Sequence, residues 1–241
     1  MRDVEVAAHA ARAAAAALLD LRRRGPSGRA LGDAGDAAAQ EAITAVLAEH
    51  RPDDVVFSEE AADDRSRLGA GRVWIVDPLD GTREYGEPDR SDFAVHVALW
   101  SSGGLRAAAV ALPAVGEVLV TDPAPAFPPA VARAPRIAVS RTRPPVQAAA
   151  AAAAVGGELV PLGSAGWKTT AVVRGEVDAY VHAGGMYQWD SAAPVAVALA
   201  AGLTALRLDG SPLRYNEPDP SLPDLLVCRP ELAAGLLAAV R

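Results

Sequence analysis

The segment VWIVDPLDGT, residues 73–82, joins four consecutive apolar residues to a polar stretch that carries two carboxylates. A short apolar run bounded by turn residues predicts a buried strand over residues 73–76. Asp77 and Asp80 follow at its end, three residues apart. Two carboxylates at one strand end repel each other, and the repulsion grows as the local dielectric constant falls. This arrangement is unfavourable for folding alone, so it indicates a binding site.

A divalent cation would remove the repulsion. Mg²⁺ prefers oxygen ligands from a few carboxylates, with water and substrate phosphate completing its coordination shell. Pro78 restricts the backbone between the two aspartates, and the Leu79 carbonyl is then available as a further ligand. Gly81 lets the backbone approach a phosphate closely, and Thr82 offers a hydroxyl and an N–H at a predicted helix start. The alternative without a ligand is an Asx-type turn.

Two further acidic groups follow the same pattern. Glu59 and Glu60 come directly after a short apolar strand, residues 55–57, and Asp190 precedes a predicted helix that starts at Ser191. Taken alone, the glutamates are compatible with a solvated loop and Asp190 with a helix N-cap. Together with the aspartates of residues 73–82, the three clusters favour a metal site.

The composition limits the classes of protein that remain. The chain has 241 residues, of which 51% are hydrophobic and 22% charged, and this excludes a disordered protein. A formal charge of −7 argues against a partner that is a nucleic acid polymer. One cysteine, Cys228, excludes a disulfide framework, and no apolar run approaches the length of a membrane span. We therefore expect a cytoplasmic protein that has no membrane partner.

The pattern of apolar residues predicts an α/β fold in two halves. Residues 1–122 form an N-terminal α+β half that carries most of the metal ligands, and residues 123–135 are a proline-rich connection. Residues 136–241 form a C-terminal α/β half that carries Asp190 and the segment for substrate specificity. The predicted helices are 3–24, 36–49, an alanine-rich helix that ends at about residue 154, 165–174, 191–201 and one from residue 231. The predicted strands are 55–57, 73–76, 93–100, 105–112, 115–121, 136–140, 158–162, 177–181, 204–208 and 224–228.

Three motifs in this order resemble the inositol monophosphatase superfamily of Mg²⁺-dependent phosphatases. They are FSEE at residues 57–60, VWIVDPLDGTREY at 73–85 and QWDSAAPVAVALAAG at 188–202. The resemblance extends from Gly32 to the C-terminal helix. The segments GDAGDAAAQEA, FSEEA, HAGGMYQWDSAAP and LDGSPLRYN are most similar to the 3′-phosphoadenosine 5′-phosphate phosphatases of the actinobacterial CysQ type.

The resemblance implies a fold and a set of site residues. The fold would be a five-layered α/β/α/β/α sandwich with the site between the two halves. Asp36 and Thr82 would orient the attacking water, and Gly81 and Thr82 would contact the scissile phosphate. Asp33 stands where the superfamily usually has threonine. Two Mg²⁺ ions, or three with a further ion beside Asp36, would be held by Glu59, Asp77, the Leu79 carbonyl, Asp80 and Asp190.

The substrate is inferred from fewer residues. Inositol monophosphatases carry an acidic residue seven positions before the last motif's aspartate, and this chain has Ala183 there, which argues against inositol phosphate. Ser164, Ala165 and Lys168 resemble the nucleotidase segment that contacts the substrate. Lys168 is the only lysine of the chain, and a solvated helix lysine is the alternative to a phosphate contact.

The resemblance therefore implies a phosphomonoesterase that removes the 3′-phosphate of 3′-phosphoadenosine 5′-phosphate in sulfur assimilation. The small-molecule phosphate ester is its only predicted partner besides a second copy in a homodimer. The alternatives are a broader inositol-phosphate or fructose-1,6-bisphosphate phosphatase, and a non-catalytic nucleotide- or metal-binding module on the same fold. The D-x-D phosphatases with an aspartyl nucleophile do not fit, because two residues separate Asp77 from Asp80.

Overall fold

A computed structural model describes residues 1–240 as two five-stranded sheets with helices between and outside them. Arg241, the last residue of the predicted C-terminal half, lies outside the described residues. The helices are α1 (Asp3–Arg24), α2 (Arg29–His50), α3 (Thr82–Gly86), α4 (Ala148–Ala154), α5 (Ala165–Val173), α6 (Gln188–Ala200) and α7 (Ala233–Val240). The strands are β1 (Val55–Ser58), β2 (Arg72–Asp80), β3 (Ala94–Ser101), β4 (Gly104–Leu112), β5 (Glu117–Val120), β6 (Arg136–Ser140), β7 (Glu158–Leu162), β8 (Ala179–Tyr187), β9 (Thr204–Leu206) and β10 (Ser221–Cys228).

The first sheet has the strand order β1-β2-β3-β4-β5. Strands β2 to β5 form the predicted antiparallel meander, and β1 joins β2 in parallel. The second sheet has the order β7-β6-β8-β10-β9, with β6 parallel to both of its neighbours. Residues 123–135, which contain no helix or strand, lead from one sheet to the other.

Alternating side chains divide the core into three layers. On β2, Trp74 and Val76 face α1 and α2, while Val73 and Ile75 face the helices between the two sheets. On the second sheet, Tyr180 faces the same middle layer, and the neighbouring residues of β8 pack against α4 and α7. Because successive residues of a strand point to opposite faces, each sheet packs against helices on both of its faces. The predicted α/β/α/β/α sandwich is confirmed.

The second helix begins earlier than predicted, at Arg29 instead of Asp36. Gly32 and Gly35 lie inside the helix, where they allow close packing. A Cβ on Gly32 would lie 2.7 Å from Thr82 Cγ2, and one on Gly35 would lie 2.6 Å from Tyr85 Cε1. These glycines bring α2 against α3, and they place Asp36 next to the start of α3.

Three other predicted boundaries were wrong near the site. Strand β2 does not end at Val76 but continues to Asp80, so Pro78 belongs to a bulged strand end instead of a separate turn. Strand β8 runs through residues 184 and 185 to Tyr187, and both glycines adopt positive φ where the pairing with β10 shifts in register. Helix α6 begins at Gln188, so Asp190 lies in its first turn instead of before it.

Among residues 1–240, no helix combines the length and the apolar character that crossing a bilayer requires.

Leu18 is fully buried in the core layer of α1 and α2, so we predict that truncating its side chain strongly destabilises the protein. Leu18→Ala is expected to lower the free energy of unfolding by about 2–5 kcal/mol, because the cavity cannot close completely. The matched control is Leu199→Ala on α6, where the side chain is 51% exposed and the expected loss is below about 1 kcal/mol. Urea denaturation measures both. Equal losses in the two variants would contradict the assignment of Leu18 to the core.

Candidate active site

The two aspartates of residues 73–82 lie at the bulged end of β2, where both are buried. In a regular strand, residues three apart point to opposite faces. The pairing of β2 with β3 shifts between Asp77 and Asp80, and a shift of this kind changes the direction of the following side chains. The Leu79 N–H donates to Asp77 Oδ1 at 3.1 Å, and the Leu79 carbonyl accepts from the Thr82 hydroxyl at 3.1 Å.

Asp190 brings a third carboxylate from the other half of the chain. One oxygen each of Asp77, Asp80 and Asp190 lies within 4.8 Å of the others. Asp190 is held in the first turn of α6, where its Oδ2 accepts the Tyr187 N–H at 2.6 Å. Its carboxylate thus caps the helix from inside the first turn. The sequence was also compatible with Asp190 as the N-cap residue before the helix.

Glu59 and Asp36 complete the acidic group. Glu59 follows β1, whose parallel pairing with β2 places both strand ends at the same sheet edge, and its N–H donates to the Val76 carbonyl at 3.3 Å. Its carboxylate is exposed to the cleft and lies close to Asp77. Asp36 reaches the site from α2 and lies beside the Thr82 side chain.

Burial and mutual repulsion make these carboxylates hard to ionise together. Burial first, and neighbouring carboxylates second, raise the pKa values of Asp36, Glu59 and Asp190 to about 7. The same causes, in the same order, raise the pKa of the fully buried Asp77 well above its usual value. The protein thus assembles more negative charge than it neutralises by itself.

One buried imidazole lies beside the aspartates. His96 Nε2 is 3.4 Å from Asp80 Oδ2, and Nδ1 is 3.7 Å from Asp77 Oδ2 and 3.2 Å from the Trp189 carbonyl oxygen. Burial lowers the pKa of His96, which favours its neutral form. No local sequence pattern pointed to this residue, because its place opposite Asp77 depends on the register between β2 and β3.

The chemistry of the donor set fits a hard divalent cation. The buried Asp77 Oδ2 has no hydrogen-bond partner among the described residues, and buried polar atoms rarely remain unpaired. Its neighbours are carboxylate oxygens, the ligands that Mg²⁺ and Ca²⁺ prefer. The acidic cluster could therefore hold a metal ion.

Asp80 is fixed by the N-terminus of α5. Its Oδ2 accepts the Gly166 N–H at 2.6 Å and a short hydrogen bond from the Ser164 hydroxyl. The Ser164 Oγ also accepts the Trp167 N–H at 2.9 Å, as an N-cap. The Ser164 hydroxyl is thus used inside the protein, where it joins the two halves at Asp80.

Part of the acidic cluster lines a cleft with a volume of about 410 Å³. Glu59, Asp80 and Asp190 line it together with four predicted substrate contacts, which are Gly81, Thr82, Ser164 and Ala165. Asp77 and the Leu79 side chain are buried and do not line it. The cleft is also lined by positively charged side chains: Arg83, Arg141, Arg143 and Lys168.

Lys168 and Arg143 differ in burial and in hydrogen-bond partners. Lys168 is 95% buried, so the alternative of a solvated helix lysine is wrong. Its ammonium group donates to the Ser164 carbonyl at 2.8 Å, and burial lowers its pKa to about 8. Arg143 is exposed, and within residues 1–240 no carboxylate pairs with its guanidinium. Sequence reasoning missed Arg143, because arginine is common throughout this chain.

Arg141 connects the two halves at the edge of the cleft. Its Nε donates to Glu84 Oε1 at 2.7 Å, and its Nη2 donates to Glu87 Oε1 at 2.6 Å. These pairs neutralise the Arg141 guanidinium, so Lys168 and Arg143 are the better candidates for an anionic ligand.

Residues 2–124 and 130–241 match the inositol monophosphatase family. A 3′-phosphoadenosine 5′-phosphate phosphatase of Mycobacterium leprae is 50% identical over 255 aligned positions, which cover 100% of this chain and 94% of the relative. The 3′(2′),5′-bisphosphate nucleotidase CysQ of Escherichia coli is 31% identical over 76% of this chain and 78% of its own length. The crystal structure of CysQ from Bacteroides thetaiotaomicron superimposes with a TM-score of 0.83 and 26% identity, covering 94% of this chain and 97% of that one.

The carboxylate cluster predicts that chelator-treated protein becomes more stable as the pH falls from about 8 to about 6. Unfolded Asp and Glu have pKa values of about 4. Because Asp36, Glu59 and Asp190 have pKa values of about 7 when folded, these three carboxyl groups take up protons over this range only in the folded state, and this uptake stabilises it. Thermal melting in EDTA measures the effect, and Asp190→Asn should weaken it. A melting temperature that falls over this range would contradict the prediction.

Proposed function

The chain belongs to the inositol monophosphatase family, and on this basis we propose that it hydrolyses the 3′-phosphate of 3′-phosphoadenosine 5′-phosphate to give AMP and inorganic phosphate, with Mg²⁺ as cofactor. One observation carries the proposal: carboxylate oxygens, a buried ammonium group and a guanidinium that pairs with no carboxylate of residues 1–240 line a single cleft. A substrate with two phosphates can use both the cation that the carboxylates would hold and the positively charged side chains. The name and the 50% identity of the mycobacterial relative support this substrate. The proposed role is removal of a by-product of sulfur assimilation.

The proposed ligands of two Mg²⁺ ions are Glu59, Asp77, Asp80, Asp190 and the Leu79 carbonyl. The proposal is supported by oxygens of Asp77, Asp80 and Asp190 that lie within 4.8 Å of one another. When bound, the ions supply positive charge that neutralises the phosphate oxygens and makes a water molecule more acidic. Asp36 beside Asp33 and Glu60 is where a third cation would reduce repulsion between side chains.

In this proposal Asp36 and Thr82 orient the attacking water. Helix α2 supplies the carboxylate and α3 supplies the hydroxyl, and the two side chains lie next to each other. They accept hydrogen bonds from the water while its oxygen attacks phosphorus and the bond from phosphorus to the sugar oxygen breaks. The water loses a proton to solvent as the new bond forms, the departing oxygen takes up a proton from solvent, and no phosphoenzyme forms. Asp33, one turn earlier on α2, acts on Asp36 only through its charge, which raises the pKa.

Gly81 gives the phosphate access to the backbone. Its φ of +89° lies in the left-handed region, and a Cβ there would lie 3.1 Å from Ser164 Cβ and 3.2 Å from the Asp92 carbonyl oxygen. Glycine therefore permits a tight connection between β2 and α3. The backbone at Gly81 and Thr82 is the proposed contact for the phosphate that is cleaved, and it faces the cleft.

Lys168 is the proposed contact for the phosphate that is not cleaved. Its ammonium group lies 5.0 Å from the centroid of the Tyr180 ring and donates one hydrogen bond, to the Ser164 carbonyl. An ammonium group has three donors, so two remain for a ligand. Ser164 and Ala165 would shape this end of the cleft, with the Ser164 hydroxyl acting through Asp80.

A broader activity on inositol phosphate or fructose 1,6-bisphosphate is the second candidate. Ala183 on β8 offers no acceptor for a sugar hydroxyl. Asp224, its partner on β10, is already bound to Arg207 at 2.7 Å and to the Leu208 N–H at 2.8 Å. Phosphate release from the three substrates, with and without Mg²⁺, separates these activities. No release from any of them would favour a non-catalytic module.

Asp77→Asn is expected to lower kcat by several decades and to leave the protein folded, because it removes a ligand charge needed in the transition state. The variant should melt at a higher temperature than the wild type in EDTA, since one repelling carboxylate is gone. Phosphate release and thermal melting measure the two effects. The control is Asp53→Asn, a charge loss at an exposed turn. Turnover close to that of the wild type in Asp77→Asn would overturn the metal assignment.

Lys168→Met keeps most of the buried side-chain volume and removes the charge. The kcat/KM for 3′-phosphoadenosine 5′-phosphate is expected to fall about ten- to a hundredfold, the effect of losing a charge-assisted hydrogen bond. The kcat/KM for a simple monophosphate should change by less than about threefold, because that substrate lacks the second phosphate. Lys168→Arg should recover only part of the loss. Equal losses on both substrates would show that the role of Lys168 is structural.

A further inference from the structure

Tyr187 is an aromatic residue that the proposed reaction does not yet use. Its side chain is 48% exposed, and it lines the same cleft as Asp190 and Lys168. Burial in the core does not explain an aromatic ring that is nearly half in contact with solvent. Large apolar side chains at the rim of a cleft often contact a ligand.

The ring is backed by other aromatic side chains. It stacks on Trp189 with a centroid distance of 4.8 Å and an interplanar angle of 17°. Trp189 in turn contacts the buried Phe57 edge-on, at 5.1 Å. Stacking leaves the second face of the Tyr187 ring free of Trp189, and the exposed fraction of the side chain shows that solvent reaches it.

The backbone of Tyr187 is fixed by β8 on one side and by α6 on the other. It pairs with Ser221 as the last residue of β8, and it precedes the first turn of α6. Its N–H donates to Asp190 Oδ2 at 2.6 Å. The ring is therefore fixed one helical turn from a carboxylate of the acidic cluster, and little conformational entropy would be lost when a flat ligand binds it.

We propose that the Tyr187 ring, supported by Trp189, is the platform on which the purine base of the bound nucleotide stacks. This inference rests on the proposed function, which assigned protein contacts to both phosphates but none to the purine base. The charged side chains that line the cleft suit phosphates, whereas a neutral flat base needs an apolar surface. Bases stack on aromatic side chains without regard to hydrogen-bond pattern. Tyr187 therefore distinguishes nucleotides from sugar bisphosphates.

The test compares two ligands that differ only in the base, AMP and ribose 5-phosphate. Their binding is measured by calorimetry in Mg²⁺ buffer, so that no turnover is needed. Wild-type protein should bind AMP more tightly than ribose 5-phosphate. In Tyr187→Ala the affinity for AMP should fall about ten- to a hundredfold, the effect of one lost stacking contact, while the affinity for ribose 5-phosphate changes by less than about twofold. Tyr187→Phe, which retains the ring, should keep most of the preference for AMP.

Two controls separate stacking from a structural effect. Tyr187→Leu keeps apolar volume without an aromatic face, and it replaces the alanine variant if that protein is less stable. Val131→Ala truncates an apolar side chain that is 62% exposed in the proline-rich connection, and it should alter neither affinity.

The stacking role of Tyr187 and the proposed function would fail with different results. An unchanged preference for AMP in Tyr187→Ala and Tyr187→Leu, or equal losses for both ligands, would overturn the role of Tyr187 even if the wild type hydrolyses 3′-phosphoadenosine 5′-phosphate. Absence of that hydrolysis in the wild type would overturn the proposed function. A base-dependent loss in the variants would then still support a nucleotide site.

Discussion

Repulsion among buried carboxylates is the constraint on which the rest of the site depends. Asp77, Asp80 and Asp190 bring oxygens within 4.8 Å of one another, and Glu59 and Asp36 add charge at the same place. Like charges at this separation are costly where water is scarce. The neighbouring His96 and Lys168 are themselves buried, which lowers both pKa values and limits how much positive charge they contribute. The fold must hold the carboxylates together against this repulsion until a cation balances them.

Both sheets hold the carboxylates in position. Asp77 and Asp80 lie on β2 of the first sheet, and Asp190 follows β8 of the second. The α5 and α6 helices lie between the sheets, in a core layer to which both contribute side chains. Asp80 accepts hydrogen bonds from the start of α5, and Asp190 is fixed in the first turn of α6. A displacement of one sheet relative to the other would therefore separate the carboxylates, so packing of the middle layer and geometry of the site are coupled.

The cleft is lined by groups of both charges. The carboxylates would need a cation before an anionic phosphate could approach them. Lys168 and Arg143 line the same cleft and attract anions directly. Tyr187 lies at the rim, where its ring is neither charged nor fully buried. A nucleotide with two phosphates has a complementary distribution of charged ends and a flat apolar base, and this agreement is the physical basis of both proposals.

The sequence alone determined the layered α/β class, the meander and the acidic residues, because apolar periodicity and clustered carboxylates are local patterns. It also placed most helices and strands to within a few residues. It could not decide that Gly32 and Gly35 lie inside α2, because their role is close approach to α3, which is distant in sequence. Likewise, the position of His96 depends on strand register, the burial of Lys168 depends on the packing of α5, and the exposed face of Tyr187 depends on how β8 meets α6. Each of these features arises from contacts between residues far apart in the chain, so only the tertiary structure decided them.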